Sequence, residues 1–145
     1  MNRRQLIQQS LAVVSMSLML PAVSLAVQRP FKIRDLYNKD LTFSDYANVE
    51  VGKPVFISGY MAPPLKANAN FFVLTARPMS VCPFCETEAE WPDDILLVYT
   101  KRPVEVISYN TRITTKGILQ LGTQTDSSTG FVSRVRMISS IYDRA

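Results

Sequence analysis

The segment KPVFISGYM alternates along Lys53–Met61, with Val55, Ile57, Gly59 and Met61 on one face and Phe56, Ser58 and Tyr60 on the other. A period of two is the mark of a half-buried β-strand. NFFVLTARP is a second apolar run, and DILLVYTK is a third, rich in β-branched and aromatic residues. VEVISYNTRITTKGILQLG supplies one long strand or two short ones, and GFVSRVRMISSIY alternates again. Polar and turn-forming stretches separate them: VGKP, APPLKANAN, YTKRP and TDSSTG. Helical periodicity is scarce. The pattern predicts an all-β domain, a small OB-like, five-stranded, partly open β-barrel, with a two-sheet sandwich as the competing architecture. GILQLG and GFVSRVRMIS form the clearest hairpin. Gly59, Gly117 and Gly122 fall in or beside strands, where glycine marks bulges and tight bends.

The N-terminus has a different character. MNRRQLIQQS is basic, LAVVSMSLML is uncharged and apolar, and PAVSLA ends with the small residues Ser24 and Ala26. That order is a secretory signal peptide cut after Ala26. NRRQLIQ, with Arg3 and Arg4, resembles the bacterial twin-arginine export signal. The expected organisation is a signal peptide over 1–26, an N-terminal strap over 27–52 and the barrel over 53–145. TFSDYA within the strap suits one turn of helix capped by Thr42 or Ser44. The expected location is the periplasm or the exterior, with no stable membrane span after cleavage.

Charge narrows the partners. The formal net charge is +4, and loss of Arg3 and Arg4 takes it to +2. A near-neutral exported domain is poorly suited to nucleic acid, which rewards clustered positive charge. The chain contains no histidine. This removes Ser-His-Asp and Cys-His nucleophile systems and the common histidine-containing zinc sites.

The two cysteines lie in SVCPFCETEAEWPDDI, as Cys82-x-x-Cys85. Four readings compete. A thioredoxin-type dithiol needs a helix starting at its first cysteine inside a βαβ frame. Here the flanks are β-like, and Glu86, Glu88 and Glu90 oppose a thiolate. A disulfide suits an oxidising compartment, but closing so short a loop contributes only about 2 kcal/mol by chain entropy. A metal shell from Cys82 and Cys85, completed by Glu86, Glu88 or Asp93, would take zinc or another divalent ion. A lone C-x-x-C is half of a zinc site, and a site shared by two chains would restore four thiolates. Two buried free thiols are the fourth reading.

SGYMAPPL, the cysteines some twenty residues later and the strands DDILLVYTKRPVEV and KGILQLG resemble a family of small secreted bacterial proteins of unknown function. The resemblance covers most of the chain beyond residue 26 and implies an exported OB-like barrel. It carries over no activity.

Tyr60, Met61 and Trp91 are the candidate interaction residues, each with a packing role as its alternative. Arg134 and Arg136 share one strand face, which reads as solvated. The expected function is an exported, non-enzymatic binding or accessory protein of the bacterial cell envelope, acting on another envelope protein or a small ligand and needing no cofactor. The alternatives are a metal-binding protein and a C-x-x-C thiol-disulfide oxidoreductase. No spacing points to catalytic residues.

Overall fold

The computed structural model describes residues 29–64, 68–80 and 94–145. The proposed signal residues Arg3, Arg4 and Ala26 lie outside the described residues. No helix among the described residues is long and apolar enough to cross a membrane.

The fold is built from β-strands. β1 (Phe31–Lys32) precedes a 3-10 turn (Ile33–Leu36) and the short helix α1 (Asp45–Glu50). β2 (Pro54–Met61), β3 (Phe71–Thr75), β4 (Ile95–Thr100), β5 (Arg112–Thr125) and β6 (Val132–Arg144) follow. They form one six-stranded sheet in the order β1-β2-β3-β4-β6-β5, and β5 also pairs with β2. Strands β2 to β6 therefore close into a ring of five. All ring pairings are antiparallel except β4 with β6, which are parallel.

Alternation places the core as expected. Val55, Ile57 and Met61 of β2 point inward and meet Phe72, Leu74, Leu96, Val98, Ile113, Leu119, Val135 and Met137. Burying each large side chain of this kind is worth about 1.5–3 kcal/mol. β3 is buried along its whole length. Its other face, Phe71 and Val73, packs with Ala62, Ile95 and Leu97 in a second cluster, joined by Tyr99 and Phe131.

The glycines mark the places where the ring bends. The β5–β6 register shifts between Lys116 and Ile118 and again between Leu121 and Gln124, around Gly117 and Gly122. A Cβ on Gly117 would collide with the Ser140 hydroxyl and stand 3.0 Å from the Ile138 carbonyl oxygen. Gly59 marks a close approach instead, since its Cβ would stand 2.6 Å from the Thr75 carbonyl oxygen.

The segment before the ring packs against it. Ser44 caps α1 by accepting from the Ala47 N–H at 3.1 Å, as helix N-caps do. Ile33, Leu36, Tyr37 and Ala47 enter the main core.

Two local expectations change. Val104–Ile107 looks like a strand in sequence, but β5 begins only at Arg112. Pro103 cannot donate to a ladder, and Glu105 is fastened by a side chain instead. Its N–H donates to the Tyr142 hydroxyl at 2.7 Å, and that hydroxyl donates back to its carbonyl at 2.8 Å. Arg136 is the second case. It was expected on a solvated face, yet it is 5% exposed, because the bulge at Gly122 (φ +106°) turns a carbonyl onto its guanidinium.

Candidate binding site

Cys82, Cys85, Glu86, Glu88, Trp91 and Asp93 lie outside the described residues. The structure does describe where their segment leaves and rejoins the ring. Ala76, just after β3, donates its N–H to the Asp94 carbonyl at 2.8 Å. Asp94 is largely buried, and its carboxylate stands 3.6 Å from the Arg77 guanidinium. Thr75 ties the same corner to β2, donating to the carbonyls of Arg77 at 2.7 Å and Tyr60 at 3.1 Å. The stretch that carries the cysteines therefore springs from a point directly beside Tyr60.

Tyr60 and Met61 part company here. Successive strand residues face opposite ways, so Met61 is 1% exposed in the core, where its sulfur accepts from the Ile107 N–H at 3.4 Å. Tyr60 lies on the outer face, half-buried. Of this pair, only Tyr60 reaches the outer face.

The surroundings of Tyr60 follow from how β2 is paired. β5 runs along one edge of β2 from Pro54 to Tyr60, with Tyr60 opposite Arg112. The other edge is shared. β1 takes it at Ile57 and Ser58, and β3 takes it at Tyr60 and Met61. The ends of β1 and β3 thus meet at Gly59, where the absent side chain permits the approach. Their continuations, Ile33–Arg34 and Ala76–Arg77, wall a groove of about 280 Å³.

Four cations line that groove: Lys32, Arg34, Arg77 and Arg112. Its remaining lining among the described residues is Ile33, Ser58, Gly59, Tyr60 and Ala76, with no carboxylate. Among the described residues, the only ion pair made by these cations is that of Arg77 with Asp94. The sequence offered no sign of this cluster, because its members are dispersed from position 32 to 112 and only strand pairing unites them.

A larger groove of about 730 Å³ lies between Thr100–Ile107 and the end of β6. Its cations Lys101, Arg102 and Arg144 are interspersed with Glu105 and Asp143, and Tyr142 bridges across it to Glu105. It carries no comparable bias of charge.

A third polar cluster is structural in its connections. Tyr99 donates to Asp126 at 2.7 Å, and Asp126 also accepts from Ser128 and Thr129 in the β5–β6 loop. These bonds, led by that of Ser128, hold the Asp126 carboxyl well below the usual carboxylate range. Burial, reinforced by the bond to Asp126, pushes the Tyr99 phenol up to about 12. Arg136 sits nearby, and burial lowers its pKa.

No family model matches the chain, and no curated protein does. A solved structure of a DUF3299 family protein from Pseudomonas aeruginosa PAO1 is similar in fold, with a TM-score of 0.53 and 15% sequence identity. The similarity covers 81% of this chain and 95% of that one.

Proposed function

We propose that the chain is an exported, non-enzymatic binding or accessory protein of the bacterial cell envelope, and that the groove at Tyr60 is where it meets its partner. The observation that carries this is the concentration of an outward tyrosine and four cations on one small concave face, whose lining among the described residues includes no carboxylate. Tyrosine and arginine are the residues on which binding energy tends to concentrate. The signal-like residues 1–26 support export, and the arginine pair supports the twin-arginine route.

The ring is OB-like in this reading. Its order, first-second-third-fifth-fourth and back to first, and its single parallel pairing between third and fifth strands support that assignment. OB-folds commonly bind oligonucleotides and oligosaccharides on the face of their second and third strands. The corresponding face here is sealed, with Val73 at 3%, Ile95 at 0% and Leu97 at 1% exposure. Binding is therefore assigned to the first strand, β2, with another envelope protein as the favoured partner. The shared fold supports placing the chain with the uncharacterised DUF3299 proteins.

The test is fractionation of cells expressing the tagged full-length chain, followed by native sizing of the envelope extract. The protein should appear in the periplasmic or secreted fraction and in a species larger than its own mass. Arg112→Glu should return it to the size of the free chain. A cytoplasmic protein, or one whose size ignores that substitution, would contradict the proposal.

A further inference from the structure

We infer that the partner presents an acidic segment to the groove, with carboxylates spaced along an extended backbone. This inference rests on the binding-protein reading and names the chemistry of the same face. Charge complementarity is the first argument. Lys32, Arg34 and Arg112 have no carboxylate partner among the described residues, and Arg77 alone is paired, with Asp94. Such a grouping repels cationic and penalises neutral partners while steering acidic ones.

The second argument separates a segment of protein from a free ion. Lys32, Arg34, Arg77 and Arg112 are all exposed. An exposed ion pair contributes about 0–1 kcal/mol, so four such contacts orient a ligand but hold a small anion only weakly. A protein segment adds buried area on Tyr60 and on the neighbouring strands.

Spacing is the third argument. Lys32 lies level with Ser58, and Arg112 level with Tyr60, two residues further along β2. They flank β2 on opposite edges, so about 10 Å across the sheet combines with about 7 Å along it and sets their backbones about 12 Å apart. That is about four residues of extended peptide, so a segment with an acid at every second position offers one carboxylate to each of the two cations. The floor supplies hydrogen-bonding groups in the Ser58 and Tyr60 hydroxyls.

The experiment uses the purified chain and a fluorescent peptide of alternating glutamate and serine, with the glutamine–serine peptide as its uncharged counterpart. Fluorescence anisotropy should show saturable binding of the glutamate peptide that weakens as salt is raised. Arg34→Ala with Arg112→Ala should weaken it about tenfold, the sum of two exposed charge contacts. Lys39→Ala, outside the groove, should leave it unchanged. Equal binding of the two peptides, indifference to the Arg34/Arg112 substitutions, or complete displacement by inorganic phosphate at millimolar concentration would overturn the inference. A peptide that fails while Arg112→Glu still collapses the native complex would refute the acidic chemistry alone. Failure of both would refute the contact face itself.

Discussion

Arg136 donates from both terminal guanidinium nitrogens to a single acceptor, the carbonyl oxygen of Gly122, at 2.8 and 2.9 Å. Its Nε donates to Gln124 at 2.8 Å. The fork thus spans the bulge that separates Leu121 from Gln124 and fixes the return of β6 against β5. A buried guanidinium held by neutral acceptors acts through geometry more than charge. Arg136→Lys keeps the charge but loses the planar fork, and Arg136→Met leaves the acceptors unmatched. Both should lower unfolding free energy by about 2–3 kcal/mol, read from urea denaturation. A lysine variant as stable as the parent would refute the role of the fork.

Gly117 and Ser140 make a steric pair across the same two strands. The Ser140 hydroxyl is buried without a hydrogen-bond partner among the described residues and occupies the space a Gly117 side chain would need. Gly117→Ala should cost about 2–3 kcal/mol by overpacking. Ser140→Ala alone should be close to neutral, since it removes an unsatisfied group. Combined, the two should cost distinctly less than Gly117→Ala by itself, because the colliding atom is gone. Simple additivity in a double-mutant cycle would show that the Ile138 carbonyl dominates instead.

Thr115 points into the ring at 0% exposure, with a hydroxyl that has no partner among the described residues. Valine has nearly the same shape and no polar group to desolvate. Thr115→Val should raise stability by about 1 kcal/mol, seen as a higher denaturation midpoint with an unchanged slope. A loss of stability would mean that the hydroxyl is satisfied in solution.

Asp126 links the β5–β6 loop to Tyr99, and its folded-state pKa lies below the value of about 3.9 expected in the unfolded chain. A depressed carboxyl pKa contributes stability that is fully present above the unfolded value and is lost as pH falls toward the folded one. The parent protein should therefore lose stability below about pH 4. Asp126→Ala should be less stable near neutral pH by about 1–3 kcal/mol, and the difference from the parent should shrink on acidification. Midpoints of denaturation across that range measure it. A difference independent of pH would place the contribution elsewhere.

Much of the ring was legible because its strands obey simple rules. The alternation of KPVFISGYM sends Val55, Ile57 and Met61 inward, and Gly117 and Gly122 fall at the two register shifts. What escaped depended on distant residues. Arg136 alternates as a surface residue does, and only the folded-back Gly122 carbonyl explains its burial. Val104–Ile107 has strand-like composition, but its N–H groups go to scattered partners: Val104 to the Ala69 carbonyl, Glu105 to the Tyr142 hydroxyl and Ile107 to the Met61 sulfur. The groove is the clearest case. Lys32, Arg34, Arg77 and Arg112 come together because β1 and β3 abut on one edge of β2, a topological fact that no local motif encodes. The outward placement of Tyr60 was legible from the alternation, and the same alternation carries Met61 into the core.

The central claim is that the outer face at Tyr60 is a contact surface, and site-specific photo-cross-linking in intact cells addresses it most directly. A photoreactive residue in place of Tyr60 should yield a discrete adduct with another envelope protein, and one in place of the exposed Val49 on α1 should not. The Tyr60 adduct should disappear when Arg34 and Arg112 are both replaced by alanine. An uncross-linked chain at Tyr60, or equal adducts at Tyr60 and Val49, would contradict the claim.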